Sequence, residues 1–149
     1  MARLTLDANI LVYAATQRDH RAAAARHIIA RAAHADCILT VQALGEFLAV
    51  ATRRRVVPLD DAQRLLDRWR QVFGEPVPHH ADGLALAFEA AAAGRFQFWD
   101  AMFLATAGAA GCTALITEDM TPGDSLAGVT IIPAFAGDAI SPEAAALLG

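Results

Sequence analysis

Short apolar runs alternate along this chain with longer segments of helical period. Arg3 to Leu6 reads as a strand that stops at Asp7, and Asn9 then stands at an N-cap position before the apolar run Ile10-Leu11-Val12-Tyr13-Ala14. Arg21 to Ala33 is Ala-rich and predicts a helix. His20, His27 and His34 recur there at a spacing that forms a polar stripe, since helical ligands of one metal stand three or four apart. Cys37-Ile38-Leu39-Thr40 predicts a second strand. Val41 to Arg53 then shows helical periodicity through Val41, Leu44, Phe47, Leu48 and Ala51, with Glu46 beside the apolar face.

Pro58-Leu59-Asp60-Asp61 opens a further helix, Asp60 to Phe73, with Leu65, Leu66, Trp69 and Val72 as its apolar stripe, Arg64, Arg68 and Arg70 outside it, and Gly74 ending it. Glu75 to His79 is short and Pro-bounded and reads as an edge strand. Asp82 is placed to cap a helix from Gly83 to Ala93. Asp100 opens a helix to about Ala109 that Gly111 ends, and Thr113 to Thr117 returns as a strand followed at once by Glu118 and Asp119. Gly123 and Gly128 mark turns, Val129 to Ile132 is the final strand, and Ser141-Pro142-Glu143 caps a short C-terminal helix. Strands alternating with helices predict an α/β fold: a parallel sheet of four to five short strands flanked by helices on both faces.

Composition narrows the function. With 149 residues, 56% of them hydrophobic and 19% charged, the chain suits a single domain with a real core. Net charge is −4 and all 12 basic residues are Arg, so any nucleic-acid contact must be local. The absence of Lys excludes a Walker A phosphate loop and Schiff-base chemistry, both of which need that amine. Cys37 and Cys112 lack zinc or disulfide-framework spacing and read as buried free thiols. Met1-Ala2-Arg3 runs straight into a strand pattern, and the uncharged run from Ala101 to Thr117 is broken by Gly108 and Gly111. Both features lead to the expectation of a cytoplasmic protein with no membrane span.

Acidic positions hold the candidate chemistry. Asp100 lies within Phe98-Trp99-Asp100-Ala101-Met102-Phe103, an apolar setting where a carboxylate needs a cation or a capping role. On a parallel α/β plan Asp7, Glu46, Asp100 and Asp119 each fall at a strand end or in the segment just after it, the rim where such sheets bind ligands. Four acids on one rim repel one another without cations, and oxygen ligands suit Mg²⁺ or Mn²⁺ and metal-assisted phosphate chemistry by an activated water. Arg53, Arg54 and Arg55 complement the C-terminus of their helix or hold phosphates.

Leu6-Asp7-Ala8-Asn9-Ile10-Leu11-Val12-Tyr13, Gln42-Ala43-Leu44-Gly45-Glu46-Phe47, Trp99-Asp100-Ala101 and Thr117-Glu118-Asp119-Met120, leading into Gly128-Val129-Thr130-Ile131, together resemble a PIN-domain ribonuclease of the VapC toxin type, from Leu4 to about Phe135. The resemblance implies endonucleolytic cleavage of RNA with a divalent metal. By position it makes Asp7 and Asp100 the main ligands, Glu46 and Asp119 the supporting acids, and Asn9 and Thr117 the bracing polar residues, while Glu118 receives no role. It also implies a cognate antitoxin as partner and a homodimer. Independently of it, Arg53, Arg54 and Arg55 form the most concentrated positive charge in the sequence and are candidate contacts for RNA phosphates or an acidic antitoxin segment. Two other readings remain open: an aspartyl-nucleophile phosphatase using Asp7, disfavoured by the missing Lys, and a non-catalytic protein- or RNA-binding module on the same fold.

Overall fold

A computed structural model describes residues 2–16 and 19–149. Seven helices and seven strands appear among the described residues. In chain order they are β1 (Arg3–Leu6), α1 (Ala8–Ala15), α2 (Ala22–Ala32), β2 (Cys37–Ile38), α3 (Val41–Arg54), α4 (Leu59–Phe73), α5 (Gly83–Ala92), α6 (Phe98–Ala109), β3 (Cys112–Thr117), β4 (Ser125–Leu126), β5 (Val129–Pro133), β6 (Phe135–Ala136), β7 (Ala139–Ile140) and α7 (Pro142–Leu148).

Strands pair in the order β2-β1-β3-β5-β4. The β2–β1, β1–β3 and β3–β5 pairings are parallel, and only β4, on the edge, runs antiparallel to β5. Leu4, Thr5 and Leu6 are buried in succession, as are Leu115, Ile116 and Thr117. Consecutive buried positions on a strand require cover on both faces, the pattern of a sheet between helical layers. The α3–α4 packing is anchored by Phe47 against Trp69, edge to face at 4.9 Å. Cys37 and Cys112 are buried free thiols, and no helix among the described residues is long and apolar enough to cross a membrane.

Several boundaries differ from the sequence expectation for local reasons. Asp7, not Asn9, caps α1: its carboxylate accepts from the Ala8 N–H at 2.7 Å, which puts Asn9 inside the first turn. The second strand stops at Ile38 because Thr40 turns to cap α3, accepting from the Ala43 N–H through its hydroxyl. The expected edge strand at Glu75 to His79 contracts to one bridge between Thr40 and Val77. On α4 the expected stripe holds at Trp69, which is buried, and at Leu65 and Leu66, which pack partly buried against the core, while Val72 is exposed and Phe73 takes its place with Ala62. α6 begins at Phe98, two residues before Asp100, and follows α5 with no strand between them. Nor is β5 the last strand, since the β6–β7 hairpin follows it.

The β4–β5 hairpin turns through Ala127 (φ 54) and Gly128 (φ 79), both left-handed as a two-residue turn of this hand requires. Its tip docks on α6 at Gly108. A Cβ at Gly108 would stand 2.9 Å from the Ala127 Cβ and closer still to the Ala127 carbonyl oxygen. In an unobstructed helix Gly→Ala gains about 1 kcal/mol of propensity. Here Gly108→Ala is expected to destabilise by about 1–3 kcal/mol, because the hairpin must be pushed off the helix. Urea denaturation of the two proteins checks the sign.

Candidate active site

The parallel pairing of β1 with β3 sets the centre of the site. Leu6 pairs with Ile116, and the Asp7 N–H extends the ladder by donating to the Ile116 carbonyl at 3.0 Å. Asp7 therefore leaves the end of β1 beside Thr117, the last residue of β3. The Thr117 hydroxyl donates to Asp7 Oδ2 at 2.7 Å and accepts from Asn9 Nδ2 and from the Asp119 N–H, each at 3.2 Å. One proton given and two received use the full capacity of a hydroxyl, so its orientation is fixed. Asn9 Nδ2 also donates to Asp119 Oδ2 at 3.0 Å, tying the start of α1 to the loop after β3.

Asp7 is 7% exposed and has no cationic partner among the described residues. Burial raises its pKa to about 6; the hydrogen bonds from Thr117 and the Ala8 N–H pull it down, and the charges of Glu46 and Asp119 push it further up. Asp100, in the first turn of α6 and half-buried, is also shifted up, first by burial and then by the charge of Asp119. Repulsion thus links Asp7 to Glu46 and Asp119, and Asp119 to Asp100. The four expected acids share one electrostatic environment, although α6 brings Asp100 to the rim from a helix start and not from a strand end.

These residues fit a hard divalent cation. Every side-chain donor is oxygen, the most buried carboxylate lacks a counter-charge, and Asn9 Oδ1 is a buried acceptor with no partner. Among the described residues, no three His, Cys, Asp or Glu side chains stand close enough together to hold a metal ion as they are placed. Carboxylates carried on separate elements make an open site, and an ion held there would keep several of its waters, as Mg²⁺ does.

Glu118 is separated from this charge. Its carboxylate accepts from the Tyr13 hydroxyl at 2.7 Å and from Arg21 Nη1 at 2.5 Å, while Arg21 also lies over the Phe135 ring, 5.3 Å from its centroid. The acid without an assigned role proves to be the anchor that fastens the Asp119 loop to α1 and to the residue before α2. Arg53, Arg54 and Arg55 lie at the C-terminal end of α3, two turns beyond Glu46, outside the acid pocket; Arg55 adopts the left-handed cap (φ 50) and donates its N–H to the Ala51 carbonyl. A cleft with more cations than acids, about 620 Å³ in volume, forms elsewhere between α2 and α4, where Arg26, Arg64 and Arg68 line it with Ala14, Leu65 and Asp61, the last paired with Arg64. The sequence signal for it was the spacing of Arg64 and Arg68 on one face of α4, with no indication that α2 would oppose them.

A model of the PIN domain family matches residues 4–121, most of the chain and all four acids. The chain belongs to the PIN domain family. The match ends fourteen residues before the extent expected from sequence, leaving β4 to α7 outside it. No curated protein matches the chain. Among solved structures, the crystal structure of VapBC2 from Rickettsia felis bound to a DNA fragment from their promoter contains a similar chain, with a TM-score of 0.64 and 15% identity over 88% of this chain and 98% of that one. At that identity the likeness is one of fold.

The raised pKa of Asp7 has a defined effect on stability. The group ionises near 3.8 when unfolded and near 6 when folded. Stability from Asp7 is therefore highest below the unfolded value, falls as pH rises between the two, and is level above, a loss of about 3 kcal/mol. In metal-free protein, Asp7→Asn is expected to remove this slope and to be the more stable form at about pH 7 by about 1 kcal/mol or more. Urea melts of both proteins in chelator at about pH 4 and about pH 7 measure it, and an unchanged slope in the variant would contradict the assignment.

Proposed function

We propose that this PIN domain is a divalent-metal-dependent endoribonuclease, the toxin of a toxin–antitoxin pair. The observation that supports it most is the buried Asp7, without a cationic partner among the described residues and in electrostatic contact with Glu46 and Asp119, with Asp100 joined through Asp119. Asp7 and Asp100 would hold Mg²⁺ or Mn²⁺, with Glu46 and Asp119 in support. When bound, such an ion supplies positive charge to the scissile phosphate and acidifies the attacking water. The chain's own residues do the rest. Thr117 fixes the Asp7 carboxylate, Asn9 fixes Asp119, and Glu118 with Arg21 keeps the loop after β3 in place.

The similar Rickettsia felis structure is of VapBC2 bound to promoter DNA, and an antitoxin partner is proposed on that likeness and on the cleft of Arg26, Arg64 and Arg68, whose cations outnumber its one acid, Asp61, and so suit an acidic segment. A homodimer is proposed with support from Leu84, Phe88 and Trp99, large apolar side chains that are all at least half exposed. The single domain and the cytoplasmic setting belong to the same proposal.

Incubation of the purified protein with RNA tests the reading. Cleavage is expected with Mg²⁺ or Mn²⁺, is expected to stop in excess chelator, and is expected to fall to background in Asp100→Asn with its fold retained, because an amide replaces an anionic ligand of a hard cation. Cleavage that persists in chelator removes the metal mechanism. A folded Asp100→Asn of full activity removes Asp100 from the site, and a wild type that binds RNA without cutting it leaves a non-catalytic binding module.

A further inference from the structure

We infer that Gln42 is a positioning residue of the acid pocket, holding Glu46 of α3 at a set distance from the start of α6 that bears Asp100; this rests on the reading of the pocket as a divalent-ion site. Gln42 lies in the first turn of α3, one turn before Glu46 and on the same face. Its side-chain amide nitrogen donates to Glu46 Oε1 at 3.3 Å and to the Trp99 carbonyl at 2.9 Å. Both partners are acceptors without a proton to give, so the amide has only one workable orientation. Its two protons are committed to two elements, and the Trp99 carbonyl belongs to the peptide that leads into Asp100.

An ordinary contact between residues one turn apart would give one proton to Glu46 and leave the other to water. Here the second proton crosses to another helix, and Gln42 Oε1 is shut away from solvent with no partner among the described residues. A buried acceptor left unpaired is costly, so the arrangement favours bridging at the expense of local satisfaction. Glu46 needs such a support. It is exposed and long, no other side-chain bond is made to it among the described residues, and a free Glu loses rotamer entropy when an ion fixes it. Pinning it beforehand removes part of that loss, as outer-shell partners do for ligating carboxylates elsewhere.

Calorimetric titration of Mg²⁺ into the full chain tests the inference, using wild type, Gln42→Ala, Gln42→Met, Glu46→Gln and the Gln42→Met/Glu46→Gln double variant, with melting in chelator as the control for folding. Gln42→Met fills the same space without the amide. Both single Gln42 variants are expected to weaken Mg²⁺ binding by about tenfold, and Gln42→Met is expected to cost clearly less once Glu46 is already Gln. At saturating Mg²⁺ their KM for RNA is expected to stay at the wild-type value. If Gln42→Met binds Mg²⁺ as tightly as wild type, or its loss adds in full to that of Glu46→Gln, Gln42 does not position Glu46. If the wild type binds no Mg²⁺, the divalent-ion reading itself fails, and this inference falls with it.

Discussion

The Thr117 hydroxyl donating to the Asp7 carboxylate, at the point where two parallel strands end side by side, is the contact on which the site depends. A carboxylate this deeply buried resists ionisation, and the described residues answer with two hydrogen bonds and no cation. That shortfall is maintained by the strand register: sliding β1 along β3 by one residue would turn Asp7 to the other face of the sheet and separate it from Thr117. The surrounding elements hold that register, with Leu4, Leu6, Leu115 and Ile116 all buried between helical layers. A stable core thus keeps in place a polar cluster that is unstable on its own account, which is the usual cost of a preorganised site.

Two kinds of support can be distinguished around the acids. One is local and fully satisfied, in the Thr117 hydroxyl with its three partners and in Glu118 held by Tyr13 and Arg21. The other leaves acceptors unpaired, at Asn9 Oδ1 and Gln42 Oε1, each on a side chain whose donors are committed to the pocket. Amide groups with spent donors and idle acceptors beside a set of repelling carboxylates describe a site shaped for positive charge. The acids sit on four separate elements or loops, so compensation of their charge would also draw together α1, α3, α6 and the loop after β3.

Much of this was legible in the sequence. Asp7 and Asp119 follow β1 and β3, whose apolar runs announce strands, and parallel pairing of those strands was enough to place the two acids together. Asp100 was expected at or just after a strand end, yet among the described residues the chain passes from α5 to α6 with no strand, and only tertiary packing brings that helix start to the rim. The β6–β7 hairpin was invisible, since two-residue strands carry no period. Gln42 and Arg21 were hidden for a different reason: their partners lie 57 and 97 residues away in sequence, and no local pattern encodes such a bridge. The cleft of Arg26, Arg64 and Arg68 was hidden likewise, because it is assembled from two helices.

The most direct test of the account is anomalous diffraction from crystals of this protein soaked in Mn²⁺. The account predicts a peak in the pocket between Asp7, Asp100 and Asp119, with carboxylate oxygens at about 2.2 Å and Glu46 turned toward it. Full occupancy of Mn²⁺ elsewhere on the surface, with the pocket empty, would contradict it.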